Sequence, residues 1–197
     1  MNVLKANRME AFSDGVLAII ITIMVLEFKV PEGHDWNSLV DLVPKFLSYA
    51  VSFVYVGIYW NNHHHLLHTV HSLNGKLMWL NLLLLFSLSL VPFSTAWIGE
   101  SSFSSTPTAL YGIVLLLAAF SYRLLQHEIL KQHSSDSDFV VAMGRDFKGK
   151  ISLLLYLIAI VVAYLNSWVS CFFYVLVAAI WFVPDQRIER VLRNRSS

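Results

Sequence analysis

The sequence predicts an all-α integral membrane protein with six transmembrane helices, on three observations. Of the 197 residues, 56% are hydrophobic and only 14% charged, against about 25% charged in soluble domains. The apolar residues fall in runs long enough to cross a bilayer, and the mean hydropathy is +0.59. Lysine and arginine gather on one side of the resulting topology. The formal net charge of +1 offers no basic surface for nucleic acid. A single cysteine, Cys171, excludes an intrachain disulfide and a cysteine-based zinc site. The opening MNVLKANRMEAFSDG lacks the apolar core and cleavage site of a signal peptide, so the first helix is expected to stay.

The predicted spans are 9–29, 42–66, 76–98, 107–127, 149–165 and 167–184, treated as one channel-sized unit over residues 1–197. The first is unusual. Between Asp14 and Glu27 only residues 15–26 are uncharged, about 18 Å of helix, where a bilayer core needs about 30 Å. Asp14 is therefore expected inside the membrane, and a carboxylate there faces a bundle interior or a water-filled cavity. The second span carries FLSYAVSFVYVGIYW and ends in WNNHHH; the third contains Pro92 and should kink there. Pro31, Pro44, Pro107 and Pro184 sit at or near span ends, where a missing N–H costs little. The last two spans, divided only by Asn166–Ser167, read as a helical hairpin.

With both termini on one side, that side takes every Lys and Arg except Lys29 and Lys45. The positive-inside rule makes it cytoplasmic. The opposite loop carries Glu27, Glu32, Asp35 and Asp41, an acidic outer mouth that reads equally well as ordinary solvated surface.

At the cytoplasmic end, three consecutive helices bring Arg8, Ser13, Asp14, Asn61, Asn62, His64, His68 and Asn81 to one layer. An ionised Asp14 needs a partner at that depth, and Arg8 is the expected one. His64 and His68, at i and i+4, share a helix face and have the spacing to chelate zinc or a haem iron. The glutamate of an HExxH motif is absent and no cysteine is near, so a structural role is expected of them and no metal or cofactor is assigned. Along the first helix, Ile19, Thr22, Ile23 and Leu26 recur at i, i+3, i+4 and i+7 as one stripe. Such a stripe faces lipid, a neighbouring helix or a pore. Hydrophobic constrictions gate some channels by dewetting, and no TVGYG filter occurs here.

RMEAFSDG matches the R-x-x-x-F-S-D-G signature of the transmembrane protein 175 family, and WNNHHH and NLLLLFSLSLVPF resemble the same family's second and third helices. The resemblance covers the whole six-helix unit, and the single unit per chain is closest to the bacterial forms. It implies a homotetrameric cation channel of the bacterial plasma membrane whose first helices line a central pore. The permeant ion would be K⁺, favoured modestly over Na⁺ with no re-entrant filter. By position after Asp14, the constriction falls on Ile19, Ile23 and Leu26, with Thr22 at the level tied to selectivity. Arg8, Phe12, Ser13 and Asp14 fill the signature and stand where a network would hold the pore helix to helices two and three. Which of His63, His64 and His65 joins it stays open. Two other classes compete: a secondary transporter or proton-coupled carrier relaying protons through Asp14 and the His63–His71 cluster, and a histidine-based membrane metalloprotein. No second half mirrors the first, and Pro92 is the one strong mid-span breaker, which weighs against a carrier.

Overall fold

The computed structural model describes residues 2–133 and 147–182, with side chains from Asn7 onward. Among the described residues, seven α-helices make up six spans: α1 (Asn2–Val25), α2 (Val43–Leu67), α3 (Gly75–Ser89), α4 (Val91–Glu100), α5 (Ser105–Leu130), α6 (Phe147–Val162) and α7 (Ser167–Phe182). No strand occurs among the described residues. Gly75–Glu100, Ser105–Leu130 and the stretch Trp36–Leu67 are long and apolar enough to cross a membrane. The expected end of the last span at 184, the arginine-rich tail and most of the 128–148 segment lie outside the described residues.

The helix ends depart from the expected bounds, by up to seven residues at the start of α1, and the differences have local causes. α1 begins at Asn2 rather than 9, because Leu4 to Ala11 contains no helix breaker. It ends at Val25, where backbone bonds from Leu26 to Ile23 and from Phe28 to Val25 close the last turns. The third span breaks at Leu90, which caps both α3 and α4, and Pro92 falls in the first turn of α4 where its missing N–H is tolerated. Leu90 keeps right-handed helical backbone (φ −83, ψ −13), so the interruption is brief. Before α2, a 3-10 turn over Trp36–Leu42 is capped by Asp35. The α6–α7 hairpin turns on Asn166, whose Oδ1 accepts from the N–H groups of Trp168 (3.0 Å) and Val169 (3.3 Å). That side chain satisfies donors that a helix start leaves open.

α5 is the hub, packed against α3, α4, α6 and α7, while α1 packs against α2, α3 and α4. Inside a bilayer the apolar effect does not separate helix from lipid, so close packing and hydroxyl bonds must hold the bundle. The core is built accordingly. Ser87 and Ser121 bond across α3 and α5 at 3.0 Å. Thr95 donates to Ser52 (2.7 Å), whose hydroxyl meets that of Tyr111 at 2.9 Å. Tyr55 donates to the carbonyl of Tyr174 (2.6 Å), and Tyr174 to that of Thr108 (3.0 Å). At the end where α2 turns into α3, Gln132 accepts from the N–H groups of His71 and Ser72 (3.1 Å each) and donates to Ser72 O (2.8 Å), fastening the α2–α3 loop to the turn after α5. At the other end Lys45 and Glu100 pair at 3.2 Å, joining α2 to α4.

Candidate functional site

α1 has two unlike sides. Met9, Ser13, Leu17, Ile20 and Met24 follow one another at three- and four-residue steps and form its buried edge against α2, α3 and α4. Across the helix, Phe12, Ile19, Ile23 and Leu26 lie open, Ile19 at 57% and Leu26 at 78% exposure. Thr22 is exposed among them, and its hydroxyl donates back to Ala18 O and Ile19 O, both at 3.0 Å. Its proton being engaged by its own helix, the oxygen presents lone pairs outward. All four stripe residues thus share the open side of the subunit. A groove of about 780 Å³ flanks them, walled by Ile19 and Ile23 on one bank and Phe93 and Trp97 on the other, with Glu27 and Glu100 among its lining residues.

The polar layer is present but wired differently from expectation. Asn81 Nδ2 donates to Ser13 Oγ (3.0 Å), Ser13 donates to Met9 O (2.8 Å), and Asn81 Oδ1 meets His63 Nε2 at 2.7 Å. Ser13, Asn81 and His63 are all buried. The histidine that joins the network is therefore His63; the expectation of His64 and His68 there is corrected. Consecutive residues on a helix point about 100° apart, so only one of the three histidines can face α3.

Asp14 accepts from Trp60 Nε1 at 3.0 Å. Arg8, its expected partner, is exposed, and no Arg8–Asp14 pair occurs among the described ion pairs. Six residues apart on one helix, the two side chains diverge by about 120°. His64 and His68 turn instead to Glu10, which the sequence reading missed: Glu10 Oε1 lies 2.7 Å from His64 Nδ1 and 3.6 Å from His68 Nε2. Asn62 also stands apart, donating to Ile58 O (2.8 Å) while its carbonyl accepts from Tyr122 (3.2 Å), so it serves the α2–α5 contact. Two i, i+4 ladders carried the missing signal. Glu10 and Asp14 on α1 run antiparallel to Trp60, His64 and His68 on α2.

A bundle with one apolar helix left open on a side bearing a hydroxyl and flanked by acidic groups can serve as the wall of an ion path. Comparison with known proteins agrees in kind. A family model described as "Endosomal/lysosomal potassium channel TMEM175" matches residues 8–92. A protein named potassium channel from Chryseobacterium sp. (strain P1-3) is 52% identical over 188 residues, covering 95% of this chain and 98% of its own. Another so named, from Chamaesiphon minutus, is 33% identical over 195 residues, 90% and 93% of the two chains. The mouse protein named endosomal/lysosomal proton channel TMEM175 is 35% identical over 116 residues, 53% of this chain but 23% of its own. Among solved structures, the crystal structure of a lysosomal potassium-selective channel TMEM175 homolog from Chamaesiphon minutus superposes with a TM-score of 0.79 at 29% identity, covering 92% of this chain and 98% of that one. A variant of the potassium channel MtTMEM175, crystallised with a nanobody fusion, shares the fold, with a TM-score of 0.63 at 18% identity. With a near full-length relative at 52% identity and the open apolar helix in hand, the chain belongs to the TMEM175 family of potassium channels, which are ion channels and not enzymes.

Proposed function

We propose that four copies of this chain assemble around a pore lined by α1 and conduct K⁺ with a modest preference over Na⁺. The observation that carries the reading is the exposure of Ile19, Thr22, Ile23 and Leu26 on one side of a helix whose other edge is fully buried. A helix that also carries Glu10 and Asp14 is a poor element to turn toward lipid. A second copy on that side gives the apolar stripe a partner and closes the groove beside it. Residues 1–197 then act as one channel unit in the bacterial plasma membrane, with both termini cytoplasmic by the charge count.

Ile19 makes the narrowest ring. Four isoleucine side chains offer no oxygen to a bare cation, so a closed ring excludes water and ions together. Opening must widen it until a partly hydrated cation passes. K⁺ sheds water at lower cost than Na⁺, so the bottleneck favours K⁺, and only modestly, since no carbonyl cage replaces the lost water. Thr22, one turn outward, adds hydroxyl oxygens where the ion leaves the ring. Glu27 and Glu100 raise the local cation concentration at the outer mouth, an effect that salt screens.

Flux from purified protein in liposomes tests this. Wild type is expected to pass K⁺ faster than Na⁺, and Ile19→Asn to raise flux or relax selectivity by wetting the ring, with subunit melting unchanged. Unaltered flux of both ions in Ile19→Asn would take Ile19 out of the constriction.

A further inference from the structure

We propose that Glu10, His64 and His68 form a binding site for a transition-metal dication, Zn²⁺ in the first place, that clamps α1 to α2 and restrains the pore. One donor atom from each of the three side chains lies within 4.8 Å of the others. The two ring nitrogens His64 Nε2 and His68 Nε2 are 3.2 Å apart, and His68 Nε2 is 3.6 Å from Glu10 Oε1. Metal–ligand bonds of about 2.0–2.1 Å in a tetrahedron place ligand atoms about 3.3 Å from one another. Both separations straddle that edge length. Glu10 Oε1 now faces His64 Nδ1 at 2.7 Å, so seating an ion replaces that contact and turns the carboxylate or the imidazole toward the other two donors. Two imidazoles and one carboxylate suit Zn²⁺, Ni²⁺ or Co²⁺; Mg²⁺ and Ca²⁺ prefer all-oxygen cages.

The surroundings favour a metal over a chance cluster. His64 and His68 sit one turn apart on α2, and the rigid helix fixes their spacing. The Trp60 ring lies nearly parallel to that of His64, with 6.2 Å between centroids. Asp14, one turn along α1 from Glu10, adds negative potential without occupying the ligands, being engaged by Trp60. The Glu10 side chain is only 16% exposed, whereas His68 is 50% exposed, so the ion can enter past His68 and a water can fill the fourth position. The histidine spacing suits a metal, but neither an HExxH glutamate nor a nearby cysteine supplies a third donor along the sequence. The third donor comes from the other helix.

A metal here bonds the pore-lining helix to its neighbour near its cytoplasmic end. That effect on flux rests on α1 lining the pore; the site itself does not.

The test uses full-length protein with its purification tag removed, and Zn²⁺ as the probe under millimolar Mg²⁺. Equilibrium dialysis with metal quantification is expected to give one Zn²⁺ per chain. His68→Gln and Glu10→Gln should each weaken binding about tenfold or more, and His34→Ala in the outer loop should leave it unchanged. Each variant is checked for a native melt, and the two substitutions on different helices guard against misfolding of either. Absence of bound zinc, or binding by both variants equal to wild type, overturns the site. In liposomes, Zn²⁺ is expected to slow K⁺ flux in wild type and not in His68→Gln; equal slowing in both, or none in wild type, overturns the clamp. Should wild type show no K⁺ flux even without zinc, the channel reading fails, and the dialysis still decides the site.

Discussion

α1 and α5 are nearly the same length, 24 and 26 residues, and both are apolar, yet the subunit treats them oppositely. α5 is buried from Thr108 and Tyr111 through Leu115 and Ala118 to Leu125 and Ile129, and only a narrow line through Ile113 and Phe120 stays exposed. α1 is buried along one edge only, and the remaining surface has no cover among the described residues. Length and hydropathy do not separate a helix enclosed by its subunit from one left open on one side. What separates them is the supply of small and hydroxylic residues. α5 carries Gly112, Ala118 and Ser121 where neighbouring helices press in, and Tyr111 and Tyr122 bond outward to α2. Over residues 15–26, α1 offers one hydroxyl, Thr22, and that one is turned back on its own backbone. α5 is held by its subunit on nearly every side; α1 is held at one end and along one edge.

The largest effect is therefore expected on α5. A Cβ added to Gly112 would fall inside the Tyr174 hydroxyl and against Ile160 Cγ1, since α6 and α7 both close on that position. Gly112→Leu has to push Tyr174 off Thr108 O and force the α6–α7 hairpin outward. Overpacking of this kind costs about 1–3 kcal/mol, and the lost buried hydrogen bond adds to it. A thermal melt in detergent is expected to fall by several degrees, while Leu26→Ala on the open side of α1 leaves it within about 0.5 kcal/mol of wild type. Equal melting of the two variants would erase the distinction between the helices.

Much of this architecture is legible in the sequence, for identifiable reasons. Apolar runs bounded by prolines and charges mark the spans, because a bilayer sets a minimum length and penalises charge within it. The break at Pro92 follows from its missing N–H. Depth is legible too: counting residues from the helix ends puts Ser13 and Asn81 in one layer, and they bond. Rotation is what the sequence conceals. α2 is apolar on most of its faces, so nothing in its pattern says whether His63, His64 or His65 turns to α3. The same blindness assigned Arg8 to Asp14 by charge alone, although six residues of helix separate their directions, and passed over Glu10, whose partners lie on a different helix. The exposed stripe was readable as a stripe; that it faces outward from the subunit is a fact of packing.

A smaller effect is expected where α1 is tied to its subunit. Asn81 is the buried link between Ser13 of α1 and His63 of α2. His63 Nδ1 already has no hydrogen-bond partner, so Asn81→Leu leaves the whole ring unpaired in a dry interior. That costs about 1–2 kcal/mol, within the range for a stranded buried polar group. The double variant Asn81→Leu with His63→Leu removes the stranded ring and is expected to recover most of the melt, though α1 then lacks its polar tie. Flux should therefore differ from wild type in the double variant even as stability returns. Additive losses in the double variant would mean that the two side chains act separately and that α1 is held by apolar contact alone.

The smallest effect is expected just beyond the C-terminal end of α1, where neither helix's packing reaches. No residue of the 3-10 turn Trp36–Leu42 is buried, and Asp35 starts it, accepting from Ser38 Oγ at 2.6 Å and Ser38 N at 3.0 Å. The two hydrogen bonds, the hydroxyl's first, hold the Asp35 carboxyl below its ordinary value of 3.8. A carboxyl lowered in the folded state adds stability above that ordinary value and loses it as pH falls through the folded one. The turn should therefore be indifferent to pH between about 5 and 7 and loosen only below about 4. Asp35→Ala removes the cap at every pH. Amide exchange at Ser38 is expected to quicken in that variant at pH 6, with the melt of the bundle and the K⁺ flux unchanged. A change in flux would mean that the α1–α2 loop sets the position of α1, and that this helix is restrained from its C-terminal end as well as from the Ser13–Asn81 tie.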